Sequence, residues 1–348
     1  MNYVPGGMEN YLSNLIHRLK DNHEIVLMIP DNFKKSIVGV KYYQFAERGP
    51  FKYISLLKEA IRLCVIEKPK VISAFMPSIA SGFLFTVGKI FRIKTAINLR
   101  GFEMYNAMNR FIIASSFLVT QYIITNGQNL VRKYAENAGL LSQIILSKPS
   151  FFIPNAIDSA KWEYNRQEKK EFDLVYIANI NSSIRIEQKG FVYLYEAIEK
   201  IHKTTGKRLK TVIIGSYNFN DIKNALPNFN SDSFVFLGLI SNKGKIKEYL
   251  AKSCIFVLPS TEEGMPNALM EAMAFGIPSI ATDVGSVNLL IPSNEMGLII
   301  PPKNTDALVN SILSLIHEEP RRSELSRNAK KFIQNNFSWN PQDRKSVV

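Results

Sequence analysis

Short apolar runs of strand length alternate with helix-length amphipathic stretches along nearly the whole sequence. Parallel neighbouring strands need a crossover of a dozen or more residues, usually a helix, so this alternation predicts parallel sheets with helices on both faces. The expected strands are 24–29, 71–75, 94–99 and 122–125 in the first half. In the second half they are 174–178, 211–215, 234–238, 255–259, 279–281 and 297–300. Helices are expected between them, among them 10–21, 51–67, 128–137, 192–204, 243–251 and 305–317. With 348 residues and 46% hydrophobic content, the chain is long enough for two α/β domains, each with its own core.

The expected boundary follows Phe151-Phe152-Ile153-Pro154-Asn155-Ala156-Ile157-Asp158, because a polar stretch, 159–172, then leads into a fresh strand. The domains are therefore 1–157 and 158–348. Cys64 and Cys254 both lie in apolar runs and read as buried thiols of a reducing compartment. No signal sequence opens the chain, and the two longest uncharged runs, 71–88 and 111–131, are broken by polar or proline residues before they reach the about 20 residues of a membrane span. A cytoplasmic protein, soluble or peripheral on the inner face of a membrane, is expected.

Charge is unevenly distributed. Residues 1–150 hold 19 Lys+Arg against 9 Asp+Glu, while 151–348 hold 24 against 21. A basic first half draws anionic partners, an anionic membrane surface or a pyrophosphate-bearing acceptor among them. No nucleic-acid motif accompanies it, so no nucleic acid is expected. No Gly-x-Gly-x-x-Gly follows a strand, which argues against a dehydrogenase.

The segment Ser260-Thr261-Glu262-Glu263-Gly264-Met265-Pro266-Asn267 reads as a polar loop between a strand and a helix that begins near Ala268. The first amides of such a helix lack intrahelical partners and carry partial positive charge, which suits a phosphate. Glu263 in the loop and Glu271 one turn into the helix flank that seat. Two carboxylates so placed accept hydrogen bonds from hydroxyls on either side of a phosphate, the pattern of a sugar, a diphosphate and a ribose.

This stretch, continued by Gly276-Ile277-Pro278, resembles the donor-binding signature of family 4 of the retaining glycosyltransferases: Glu-Gly-(Phe or Met)-Pro, then Glu-Ala, with seven residues between the glutamates. Pro154-Asn155-Ala156-Ile157-Asp158 is similar to the family's interdomain motif, with Ala156 in place of its usual glycine. The resemblance implies the GT-B fold: two Rossmann-like domains with parallel sheets facing across a cleft, the first binding acceptor and the second the nucleotide-sugar donor. Family members carry a first strand ahead of the loop Pro5-Gly6-Gly7 and a helix beyond Trp339, so a late start and an early stop are expected here.

The same resemblance implies roles. Gly7 would approach the donor phosphates, and Lys189, in Gln188-Lys189-Gly190-Phe191, would contact the diphosphate. Where the family has a Gly-Arg pair this sequence has Ala178-Asn179, and Arg185, in the loop 180–188, is expected to substitute. Glu263 would hold the transferred sugar, with Gly264, Met265, Pro266 and Asn267 lining its pocket, and Glu271 would bind the ribose. A first-domain histidine common in relatives is absent, so Arg100 is assigned its charge, and Glu103 is assigned an acceptor hydroxyl. Glu263, Lys189 and Arg100 form the expected catalytic set.

No Asp-x-Asp motif occurs, and Glu171-Phe172-Asp173 is expected to be solvated, so neither a metal nor a cofactor beyond the nucleotide sugar is expected. The implied reaction moves a hexose-type sugar from a UDP- or GDP-sugar to a glycan or lipid-linked acceptor in surface polysaccharide biosynthesis. Attack on the face that the diphosphate leaves gives retention. The alternatives are an inactive nucleotide-sugar-binding partner subunit and a GT-B sugar-nucleotide epimerase.

Overall fold

The computed structural model describes residues 7–30, 39–46, 49, 51–75, 77–100, 116–127, 129–164 and 168–339. The chain divides after Pro154 into two compact units, a few residues ahead of the expected junction. In the N-terminal unit the strands are β1 (Val26–Pro30), β2 (Lys41–Phe45), β3 (Val71–Phe75), β4 (Lys94–Leu99), β5 (Tyr122–Thr125) and β6 (Ser150–Phe152). In the C-terminal unit they are β7 (Phe172–Ile177), β8 (Thr211–Ile214), β9 (Phe234–Phe236), β10 (Ser253–Leu258), β11 (Ser279–Thr282) and β12 (Leu298–Ile300).

Every strand pairing among the described residues is parallel. β1 and β2 form one small sheet, and β3-β4-β5-β6 another. Helices Lys52–Glu67 and Ile79–Ile90 provide crossovers in this unit, the second opened by a reciprocal Ser78–Ser81 capping box. Its core includes Phe85, Ile97, Leu99 and Ile123, all fully buried. The expected helix 10–21 begins earlier, as Gly7–Leu19, and 128–137 is Leu130–Glu136. Glu103, Met1, Pro5 and Gly6 lie outside the described residues.

The C-terminal sheet runs β12-β11-β10-β7-β8-β9. From β7 the chain winds one way through β8 and β9, then returns to β10 and winds the other way. The reversal falls between β7 and β10, which pair directly with Ile255 opposite Leu174 and Phe256 opposite Val175. In an open parallel sheet, ligands bind outside the carboxyl ends of the strands at this reversal, because the two loops leave in opposite directions and open a crevice. Aliphatic layers bury both faces of the sheet, including Leu174, Ile213 and Ile255 on one and Val175, Val212 and Phe256 on the other.

The Glu171-Phe172-Asp173 stretch sits at the opposite, amino end of β7. Glu171 pairs with Lys252 at 3.3 Å, and Asp173 accepts from the Lys210 amide at 2.8 Å. Cys64 is buried, Cys254 is half-buried, and both are free thiols. No described helix is long and apolar enough to cross a membrane.

Candidate functional site

The loop after β7 carries Lys189 and the loop after β10 carries Glu263, so the reversal brings both to one place. Lys189 Nζ lies 2.7 Å from Glu263 Oε1, with side chains only 19% and 10% exposed. Ser260, fully buried, donates its hydroxyl to the same Glu263 oxygen at 2.8 Å. Thr282 on neighbouring β11 donates its hydroxyl to the Ser260 carbonyl. Glu263 is thus held from two sides before any ligand arrives.

Lys189 is anchored through its backbone. The buried Tyr176 hydroxyl, in β7, donates to the Lys189 carbonyl at 2.9 Å. Burial, with the nearby Glu263 carboxylate, keeps that phenol well above its ordinary pKa, so it stays a donor. Gly190 follows with φ +69°, and helix Phe191–Thr205 starts there. Across the gap, the Thr261 backbone amide donates to the Gln188 carbonyl at 2.8 Å and Gln188 Nε2 donates to Glu262 Oε2 at 3.2 Å.

The loop 260–267 is pinned along its whole length. The Ser286 amide donates to the Gly264 carbonyl at 2.8 Å. Gly285 has φ +60°, and a Cβ there would lie 2.3 Å from the Glu263 carbonyl oxygen, so glycine is required for the close approach. At the far end, Asn155 Nδ2 donates to the Met265 carbonyl at 3.1 Å and to Asn267 Oδ1 at 2.9 Å. Gly264 and Pro266 are buried and Asn267 is half-buried. The Met265 side chain, by contrast, is only 4% exposed and belongs to the core, so what it offers a ligand is backbone.

Two helix amino ends open on this crevice without a side-chain cap: Phe191–Thr205 after Gly190, and Asn267–Phe275 after Pro266. The unit's helices Phe219–Ala225, Lys243–Ala251 and Thr305–Ile316 are capped by Asn218, Asn242 and Asn304, while Val287–Leu290 and Glu319–Phe337 also lack a side-chain cap. Unfilled first-turn amides beside a lysine favour a polyanion.

Glu271 is half-buried in the first turns of helix Asn267–Phe275 and makes no hydrogen bond to a described residue. Burial raises its carboxyl to about 7, with Lys243 pulling the other way. A folded-state pKa above the unfolded value of 4.5 gives a contribution to stability that is present in acid and lost as pH rises through about 7. If Glu271 takes a ribose, as the resemblance implies, the ionised form serves it better, since it accepts at both oxygens. Nucleoside diphosphate affinity is therefore expected to strengthen between pH 6 and 8. Calorimetric titration against Glu271→Gln separates this from titration of the phosphates, since that variant loses only the carboxyl's share. Equal pH slopes in the two proteins would remove Glu271 from the ribose.

The remaining expected residues are placed as follows. The segment 180–188 is not a plain loop. Ser182 accepts from the Arg185 amide at 3.3 Å and caps a short helix, Ser183–Gln188, on which the Arg185 side chain is exposed. Asn179, standing where the family has arginine, accepts from the Ser216 amide at 2.9 Å and ties the β7 and β8 loops together. In the N-terminal unit Arg100 follows β4, half-buried, and donates to the Ile153 carbonyl at 3.3 Å, while Gly7 opens its helix. Tyr176, Ser260, Thr282, Asn155 and Gly285 were not among the expected site residues. Ser260 and Asn155 stood inside the motifs of the family resemblance, whereas a tyrosine in a strand carries no functional signal of its own. No group of three His, Cys, Asp or Glu side chains among the described residues is arranged to hold a metal ion.

The profile of the glycosyl transferases group 1 matches residues 161–332. The putative teichuronic acid biosynthesis glycosyltransferase TuaC of Bacillus subtilis is 28% identical over 199 residues, 54% of this chain and 47% of that one, so the match spans about half of TuaC. The capsular polysaccharide biosynthesis glycosyltransferase CapM of Staphylococcus aureus is 24% identical over 311 residues, 83% of this chain and 78% of that one. Among solved structures, Anabaena HepE in complex with UDP-glucose aligns with a TM-score of 0.74 at 15% identity, covering 96% of this chain and 93% of that one. At that identity the likeness shows the fold alone, which is GT-B. Residues 161–332, which carry Lys189, Glu263 and Glu271, are thus a glycosyl transferases group 1 region.

Proposed function

We propose that the protein transfers a hexose-type sugar from a UDP- or GDP-sugar to a glycan or lipid-linked acceptor in surface polysaccharide assembly, with retention and without a metal. The observation that carries this reading is the Lys189–Glu263 pair at the reversal between β7 and β10, beside two uncapped helix amino ends. TuaC and CapM are named for polysaccharide synthesis, and HepE was solved with UDP-glucose, which supports both the pathway class and the donor class.

The anomeric C–O bond breaks as negative charge builds on the departing diphosphate, and fixed positive charge at that point lowers the barrier. Lys189 turns from Glu263 to the diphosphate, helped by the first-turn amides. Glu263, still held by Ser260, then accepts a hydrogen bond from a hydroxyl of the transferred sugar. Gly264 to Asn267 line the sugar, Glu271 takes the ribose, and Arg185 reaches the phosphates from its short helix. The N-terminal unit, with Gly7, Arg100 and Glu103, serves phosphates and acceptor. The enzyme works in the cytoplasm, peripherally at the inner face of the membrane.

A thermal-unfolding panel of UDP, GDP and their sugars tests the reading. A cognate ligand at a hundred times its Kd adds about 2.7 kcal/mol, which raises Tm by roughly 5–10 °C for a unit of this size. NMR of the product then gives the anomeric configuration. If no nucleoside diphosphate or nucleotide sugar moves Tm, the donor assignment fails.

A further inference from the structure

Helix Lys52–Glu67 turns Leu56, Ala60, Leu63 and Cys64 inward, yet its opposite face is also apolar. Ile54, Ile61 and Val65 are 63%, 41% and 53% exposed. At about 100° per residue these three fall within roughly 40° of one another. Lys58 and Arg62 run beside the stripe, and Lys68 follows at the helix end. The helix's acids lie off this stripe: Glu59 pairs with Arg62 at 3.5 Å, and Glu67 bonds Lys41 and Tyr43.

More exposed apolar side chains stand at or just before the amino ends of β3 and β4. Helix Ile79–Ile90 packs beside helix Lys52–Glu67, with Tyr53 stacked on Phe83 at 5.6 Å, and both deliver the chain to adjacent parallel strands. There Val71, Ile90 and Phe91 are 55%, 72% and 40% exposed. Lys70, Lys89, Arg92 and Lys94 are exposed among them. No Asp or Glu occurs between Glu67 and Glu103.

A surface of exposed aliphatic and aromatic side chains set in cations of which, among the described residues, only Arg62 has an acidic partner matches one kind of partner. An anionic bilayer offers headgroup charge for the lysines and arginines and an acyl boundary for Ile54, Ile61 and Ile90. Nucleic acid would satisfy the cations but leave the apolar side chains in water. We propose that the N-terminal unit docks on an anionic lipid surface through this face. The inference refines the peripheral location in the proposed function, but its test is independent of donor chemistry.

Full-length protein is sedimented with vesicles of phosphatidylcholine alone and with vesicles containing about 30% phosphatidylglycerol. Two variants are compared, Ile54→Glu/Ile90→Glu and Lys89→Glu/Arg92→Glu. Each is expected to reduce partitioning onto anionic vesicles by at least about tenfold, with Tm and nucleotide-induced thermal shifts unchanged because every altered side chain is exposed. Vesicle binding that depends on these residues in a protein that ignores every nucleotide would leave this surface standing while the donor reading fell. Equal partitioning of the wild type onto neutral and anionic vesicles overturns the proposal, as does retention of anionic binding by both variants. A dimer that Ile54→Glu/Ile90→Glu dissolves, without vesicle binding by the wild type, overturns it in favour of a second copy.

Discussion

Gly190→Ala is expected to unfold or disable the C-terminal unit, while Gly206→Ala at the other end of the same helix is expected to be tolerated. The two glycines bound helix Phe191–Thr205 and have nearly the same backbone angle, φ +69° and +71°. A Cβ on Gly206 meets nothing within 4 Å. Its substitution therefore costs only the left-handed conformation, about 1 kcal/mol. A Cβ on Gly190 would sit 1.8 Å from the Pro259 carbonyl oxygen and 2.5 Å from its carbon. That neighbour is the backbone leaving β10, which cannot swing aside without breaking the β7–β10 pairing beneath it. The combined cost is at least about 3 kcal/mol, a Tm fall of roughly 6–12 °C for a unit of this size. Thermal denaturation of the two variants side by side is the measurement. Similar Tm values would mean that the close approach of the two loops is absent in solution.

Removing either member of the Lys189–Glu263 pair should cut sugar transfer by at least about tenfold, or 1.4 kcal/mol of transition-state stabilisation. Their effects on nucleotide binding should have opposite signs. Lys189 is engaged with Glu263, so a diphosphate must draw the ammonium away. Lys189→Ala deletes that cation and weakens UDP or GDP binding. Glu263→Ala releases the lysine, so the nucleoside diphosphate, which has no sugar to lose, binds at least as tightly while turnover collapses. Glu263→Gln keeps an acceptor for Ser260 but loses the charge, and should resemble Glu263→Ala in binding. Calorimetry and steady-state transfer on the three variants decide the matter. Weakened nucleotide binding in both alanine variants would show that the pair acts as a single structural strut rather than as a donor clamp.

Much of this site is visible in the linear sequence because its parts are local. Glu263, Gly264 and Glu271 share one loop and helix, and Lys189-Gly190 lies between a strand and a helix. The six strands of the C-terminal sheet stand out as short, mostly apolar runs, since a strand covered on both faces is apolar nearly throughout. β2 escapes that reading because Lys41-Tyr42-Tyr43-Gln44-Phe45 is aromatic and half-exposed rather than aliphatic, and β6 because three exposed residues make no periodic signal. The helix Ser183–Gln188 was hidden in the segment 180–188, where only the Ser182 cap marks its start. Tyr176, Ser260 and Thr282 act through hydrogen bonds that depend on how three strands line up. That alignment is a property of the folded sheet, so spacing along the chain does not display it. The upward pull on Glu271 likewise follows from what packs around it.

The order of strands in the C-terminal sheet also governs when activity can appear during refolding. Lys189 and Glu263 are 74 residues apart along the chain, and the whole of β8 and β9 is threaded between them. The first three strands can zip up through near neighbours, but they bring only Lys189, one half of the Lys189–Glu263 pair. The other arrives when β10 docks back against β7, a long-range closure of the kind that slows folding. A fluorescent nucleotide should therefore light up only in the last kinetic phase, well after the bulk of the helical signal has returned.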